Sequence, residues 1–170
     1  MKAHRIALTV VLLLLPAAAV HSQARKCDEA DSITGVKRTA SKGFEYLIFE
    51  IRRDWTSDSP FSPGSYRVEE AEPPFTDYSG EETIPVSGAK FRKVTFISVK
   101  LYSNDDYCEI DTTGFKPGDL VKDLKLLYAF EGVAEFAVGF AEDARFISGY
   151  SYDAGNYTKV VMKFGRVKKQ

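Results

Sequence analysis

Leu124-Lys125-Leu126-Leu127-Tyr128-Ala129-Phe130-Glu131-Gly132-Val133-Ala134-Glu135-Phe136-Ala137-Val138-Gly139-Phe140 is the densest apolar alternation in the chain. At a period of two, Leu124, Leu126, Tyr128 and Phe130 fall on one face of a first strand, and Ala134, Phe136, Val138 and Phe140 on one face of a second. Phe130-Glu131-Gly132 joins them, so the stretch predicts a β-hairpin at the centre of the fold. Its signature is structural; no chemistry is written in it.

Outward from the hairpin the same pattern recurs. Phe44 to Arg52 is dominated by aromatic and β-branched residues and predicts a strand apolar on both faces. Ser65 to Ala71 alternates Tyr66 and Val68 with Arg67 and Glu69, and Pro73-Pro74 ends it, because proline has no N–H for the ladder. Ile84 and Val86 around Pro85 suggest a short edge segment. Phe91 to Leu101 predicts a long strand with Val94 and Phe96 on one side and Thr95, Ile97, Val99 and Leu101 on the other. Ala144 to Tyr152 and Tyr157 to Val167 predict two more, separated by a turn at Asp153-Ala154-Gly155-Asn156. Arg25 to Lys42 reads as a polar tail leading into the domain, with a short helical turn near Asp28 to Asp31. About seven strands, no helical periodicity and frequent turn residues predict an all-β antiparallel β-sandwich spanning 43–167.

The start of the chain has a different character. Met1-Lys2-Ala3-His4-Arg5 is basic, Ile6 to Leu15 is uncharged and apolar, and Pro16 to Ala24 is rich in small residues. This is the layout of a cleaved secretory signal peptide over 1–24. The apolar run is shorter than the roughly 20 residues of a membrane span. No stable span is expected after cleavage, and the location expected is periplasmic or extracellular. Charges directly before Cys27 do not resemble a lipoprotein cleavage motif.

Cleavage after Ser22 or Ala24 removes both His4 and His21. A mature chain without histidine excludes a Ser-His-Asp or Cys-His mechanism within one chain, and a zinc site built on imidazole. Of the 23 basic and 24 acidic residues, Lys2 and Arg5 lie in the signal segment and no acid does, so 21 basic and 24 acidic residues remain, net −3. There is no basic excess to suggest nucleic acid as a partner. Cys27 and Cys108 form an even pair, which in an exported protein suggests a disulfide; two free thiols are the alternative. No cofactor or metal is expected.

The order of motifs resembles the AMIN-like domain of exported bacterial proteins, a relative of the AMIN domain that targets cell-wall amidases and other envelope proteins. Gly43 to Ile51 is similar to that family's opening strand. Pro63-Gly64-Ser65-Tyr66-Arg67-Val68-Glu69 is similar to its Pro-Gly-Tyr-Arg-Val-Glu segment, with Ser65 inserted. Pro73-Pro74 and Ile84 to Ala89 fall where the family has comparable residues, and Phe130-Glu131-Gly132 followed by Phe136 to Phe140 matches best. The ending departs: Tyr157 to Phe164 stands where the family has a Pro-Arg-Leu-Val-Val-Asp-like strand. The resemblance implies an envelope-localised β-sandwich and, by analogy with AMIN domains proper, binding to peptidoglycan or another envelope component. It carries over no catalytic residue.

Candidate sites follow from residue type. Trp55, Phe75, Tyr78, Tyr107, Tyr150, Tyr152 and Tyr157 fall in or near loops, where an aromatic face can contact a sugar ring and a phenol can bond its hydroxyls. The structural alternative is that these rings cap the open ends of the sandwich. Trp55, Tyr66, Arg67, Phe75 and Tyr78 are the candidate ligand-binding residues, centred on the loops after Arg52 and Pro74. Glu50, Glu69, Glu131 and Glu135 are the carboxylates that could pair for glycan cleavage, against the simpler reading of solvent exposure or ion pairing with Arg52, Arg67 or Lys125. Asp105, Asp106 and Asp111 carry oxygens suited to calcium but lack the spacing of a recognised loop. Asn156-Tyr157-Thr158 has the form of an N-glycosylation acceptor. The expectation is a non-enzymatic exported module that binds a cell-envelope glycan. An accessory subunit docking an envelope protein is the alternative, and a carboxylate-based hydrolase ranks third.

Overall fold

The computed structural model describes residues 26–53, 65–103 and 106–167. Residues 1–24, expected to be a signal peptide, and Trp55 and Asp105 lie outside the described residues. Among the described residues twelve strands run in order: β1 (Ile33–Ser41), β2 (Phe44–Arg52), β3 (Tyr66–Ala71), β4 (Phe75–Thr76), β5 (Thr83–Ile84), β6 (Lys90–Ile97), β7 (Tyr102–Ser103), β8 (Asp106–Tyr107), β9 (Val121–Phe130), β10 (Val133–Phe140), β11 (Ala144–Ala154) and β12 (Tyr157–Arg166). Eight of them build two antiparallel four-stranded sheets, β1-β2-β12-β11 and β3-β6-β10-β9, while β4-β5 and β7-β8 are small two-stranded ribbons. The all-β sandwich is therefore present, with no helix among the described residues. None of these residues belongs to a helix long and apolar enough to cross a membrane.

One element departs from the sequence reading. The segment expected to be a polar tail contains β1, an edge strand paired along its length with β2. Its register shifts between Ile33 and Gly35, so Ile33 and Val36, three positions apart, both turn inward and are buried. A bulge of this kind erases the period-two signal that marks a strand.

The core lies between the sheets. In β2 the inward residues Glu45, Leu47, Phe49 and Ile51 are buried, the outward ones half-buried and the terminal Arg52 exposed. The Phe49 ring meets Phe96 of β6 at 4.8 Å and Phe136 of β10 at 5.1 Å between centroids, joining the two sheets. Phe140 and Phe164 pack at 5.4 Å farther along. Long-strand continuity was expected from Phe91 to Leu101, but β6 stops at Ile97. Ser98 takes φ 62°, and this kink lets both Val99 and Leu101 tuck into the core while Ile97 stays exposed.

A buried acid also joins the sheets. Glu45 accepts the backbone N–H groups of Asp119 at 2.8 Å and Val121 at 2.9 Å, and Arg38 lies 3.3 Å from its carboxylate. A buried carboxylate is tolerable because its oxygens are occupied by donors.

The hairpin that organises the fold closes in a two-residue turn, with Phe130 opposite Val133. Glu131 and Gly132 take φ 49° and 79°, the paired positive angles of a type I′ turn whose twist matches that of the strands. Beyond the turn the expected alternation fails. Glu135 pairs with Tyr128 but Phe136 pairs with Leu126, leaving Leu127 as an extra residue in β9. Leu124 and Leu126 face the core, as expected; past the bulge Ala129 takes the inward place and packs against the core. Tyr128 and Phe130 are turned to the outer face, and Phe130 is 47 % exposed.

Cys27 and Cys108 are joined by a disulfide. The same region holds Cys27 N–H on the Glu109 carbonyl at 3.0 Å and the Lys26 ammonium on Asp111 at 2.6 Å. Lys26, with the hydroxyl and N–H of Thr113, pulls the Asp111 carboxyl from its ordinary 3.8 down to about 2. A depressed folded-state pKa stabilises above the unfolded value and is lost as pH falls through the folded one. Asp111→Asn is therefore expected to be less stable than the parent at neutral pH. The difference should shrink from about pH 4 and vanish near pH 2. Urea midpoints for the two proteins across that range measure it; a difference constant with pH would contradict the assignment.

Candidate functional site

The outer face of the β3-β6-β10-β9 sheet carries the candidate site. Antiparallel register places Glu69 opposite Lys93, Thr95 opposite Glu135, and Glu135 opposite Tyr128. Period-two geometry then points all of these side chains away from the core. Lys93 Nζ lies 3.2 Å from Glu69 and 3.7 Å from Glu135, the Thr95 hydroxyl donates to Glu135 at 3.1 Å, and Arg67 Nε meets Glu69 at 3.1 Å. The result is a charged row across the strands, with the Tyr128 ring at one end.

The segment between β3 and β6 folds over this face. Phe75 is buried, its ring 5.3 Å from Phe91. The β4-β5 ribbon ends in a turn closed by the Asp77 N–H on the Glu82 carbonyl at 3.0 Å. The Asp77 side chain accepts from the Ser79 hydroxyl at 2.8 Å and the Glu82 N–H at 3.2 Å. The Ser79 hydroxyl, aided by backbone N–H groups of Glu82, Ser79 and Glu81, holds the Asp77 carboxyl below its ordinary value against the opposing effect of desolvation. Tyr78 at the tip is 81 % exposed, with its ring 6.5 Å from Tyr128.

Farther on, the chain is seated on β10. The Ser87 N–H donates to Asp123 at 2.9 Å and the Ala89 N–H to the Phe140 carbonyl at 2.9 Å. A Cβ on Gly139 would sit 2.0 Å from the Ser87 carbonyl oxygen, so only glycine lets the backbone lie this close.

Between ribbon and sheet lies an open cleft of about 600 Å³, lined by Glu69, Glu72, Asp77, Tyr78, Lys93, Tyr128 and Glu135 among others. Acceptors outnumber donors along it. The chemistry offered is aromatic contact beside carboxylate oxygens, one ammonium and two phenols. That combination suits a ligand with both apolar faces and hydroxyl or amine donors.

The sequence candidates separate on this surface. Tyr78 is at the cleft and exposed; Phe75 lines it but is buried, so it supports the ribbon. Arg67 does not line the cleft; it pairs with Glu69, which does. Tyr66 faces the other way: its ring packs 6.2 Å from Phe96, and burial pushes its phenol up from the ordinary value. Trp55 lies outside the described residues. Tyr107 donates to the Ala129 carbonyl. Tyr150 and Tyr152 stack at 6.3 Å on the opposite sheet, near Tyr157 at the β11-β12 turn.

Of the four carboxylates, Glu69 and Glu135 come together. Glu131 occupies the hairpin turn. Glu50 lies on the other sheet, where burial raises its pKa but Lys37 at 2.7 Å and Lys159 at 3.2 Å outweigh that and lower it. The partners anticipated for these acids hold only for the Arg67–Glu69 pair; Lys37, Lys159 and Lys93 were not anticipated. Lys93 occupies the space between Glu69 and Glu135 where hydrolysis needs the scissile bond. Asp111 is engaged by Lys26 and Thr113. Among the described residues no three His, Cys, Asp or Glu side chains are grouped to hold a metal.

Sequence reasoning missed Lys93 and misplaced Tyr128. The signal for Tyr128 was the Leu126-Leu127 doublet, which breaks the alternation where the bulge falls. Compared with protein-family models, curated proteins and solved structures, the chain matches none.

Proposed function

We propose that the protein is an exported, non-catalytic module that binds a cell-envelope glycan, with peptidoglycan as the first ligand to test. The observation that carries this reading is the exposed Tyr78 held opposite Tyr128 above the Glu69–Lys93–Glu135 row. Rings supply apolar contact to sugar faces, and the charged row supplies hydrogen-bond partners for hydroxyls. The excess of carboxylates favours a neutral or amine-bearing glycan over a polyanion. The disulfide fits an oxidising compartment. The signal-like start and the motif order resembling the AMIN-like family support the envelope.

Co-sedimentation with purified peptidoglycan tests it. The parent should be retained, and Tyr78→Ala combined with Tyr128→Leu should weaken retention by about tenfold or more, the sum of two ring contacts. No retention across several wall preparations refutes the reading.

A second reading, docking of an envelope protein, is favoured by the exposed Ile147, Tyr150 and Tyr152 along β11, a sheet edge. Cross-linking in the native envelope through those residues, with peptidoglycan retention absent, would support it over the first.

A further inference from the structure

A second cleft of about 600 Å³ opens on the side of the sandwich where edge strands β3 and β11 meet. Unlike the first, it enters between the sheets. Its walls include Phe140 and Phe146, and its charged residues are Lys90, Arg92 and Arg145 with Glu70 and Glu72 at the β3 end. Arg92 is the centre. Its register partner is Val138, on the core side of β10, so the guanidinium is directed between the sheets. The side chain is only 19 % exposed, and the ring of Phe146 from the facing sheet lies 5.5 Å from it.

A guanidinium in this position needs an anion, and the one it has is weak. Glu70 meets Arg92 Nη2 at 2.7 Å, but the Glu70 side chain is 85 % exposed. Such a pair is screened by water and contributes little. Arg92 Nε is buried with no acceptor, and burial lowers the affinity of the guanidinium for its proton. Removing a cation from water while leaving its donors underused is costly unless a further anion arrives. Glu70, on solvent's side, can yield its place without leaving a buried charge behind.

We propose that this cleft binds an amphiphilic anion, an aliphatic chain ending in a carboxylate, with the carboxylate on Arg92 and the chain against Phe140 and Phe146. Arg145 at the rim adds long-range attraction, while the aromatic walls exclude small hydrated anions from gaining much. The two clefts share Glu70, Ala71 and Glu72 at the end of β3 but open on different sides: the first is on the outer face of one sheet, the second between the two.

Titration of the purified protein with decanoate below its micelle concentration, followed by calorimetry and by amide shifts, tests the proposal. Decanoate is expected to bind saturably, with shifts at Phe91, Ala144 and Phe146. Decanol, which keeps the chain, and acetate, which keeps the charge, should each bind at least about tenfold more weakly, the worth of one charge-assisted contact or several buried methylenes. Arg92→Met, which conserves length and apolar bulk, should weaken decanoate by about tenfold with circular dichroism unchanged. Should that variant not fold, Arg145→Gln on the exposed rim should still weaken decanoate, by about threefold at low salt and less at high salt. Absence of saturable binding, decanol binding as tightly as decanoate, a folded Arg92→Met with unchanged affinity, or an unaffected Arg145→Gln would each overturn it.

Discussion

Replacing Cys27 and Cys108 together by alanine is expected to lower the free energy of unfolding by about 4–5 kcal/mol in the chain-entropy description. The bond closes a loop across a sequence separation of 81 residues, so its removal frees a large part of the unfolded chain. In the folded state both residues are buried within the core cluster. The segment after Cys27 is also threaded by backbone bonds: Asp31 N–H to the Arg52 carbonyl at 2.6 Å, Arg52 N–H to the Ser32 carbonyl at 3.0 Å, and Lys100 N–H to the Asp31 carbonyl at 2.9 Å. These remain without the disulfide, so the double variant should fold with β1 in place. Urea unfolding of the two proteins measures the loss. A difference below about 1 kcal/mol would mean that the unfolded chain is already compact in this region.

Phe136→Ala is expected to cost about 3–5 kcal/mol, the range for emptying a buried phenylalanine site. Phe136 is fully buried, with Phe49 at 5.1 Å and Phe96 at 6.1 Å, the latter edge-on. Rigid strands on both sides limit how far the cavity can collapse. Phe130→Ala is the matched control. In unbroken alternation Phe130 would share the core face of β9, but the bulge at Leu127 turns it outward, and its loss should cost less than about 1 kcal/mol. Denaturant midpoints with unchanged slope would read both. Equal costs for the two phenylalanines would contradict the register.

What the sequence made legible follows its periodicity. Tyr157–Arg166 was visible because water and core impose a period of two, and Phe44–Arg52, apolar on both faces, through its aromatic and β-branched residues. Ile33–Ser41 was hidden because a bulge near Thr34 spaces its inward residues by three. Tyr128 was placed in the core for the same reason: a single extra residue reverses every face beyond it. The pairing of Glu69 with Lys93 and Glu135 depends on which strands are neighbours, and β3, β6 and β10 are brought together by non-local contacts that no local pattern encodes. Tyr78 was legible as a loop aromatic; that its ring stands opposite Tyr128 was not. The catalytic alternative illustrates the same limit. Four glutamates were equivalent as letters, and only the fold sorted them into a turn residue, a lysine-clasped pair on one sheet and an ion-paired residue on the other.

The central claim is that the outer face of the β3-β6-β10-β9 sheet is the glycan-binding surface. Amide and side-chain shift mapping during titration with a soluble peptidoglycan fragment tests it most directly. The account predicts saturable shifts confined to Tyr78, Lys93, Tyr128, Glu135 and their strand neighbours. Shifts centred instead on Tyr150 and Tyr152, or none at saturating fragment, would contradict it.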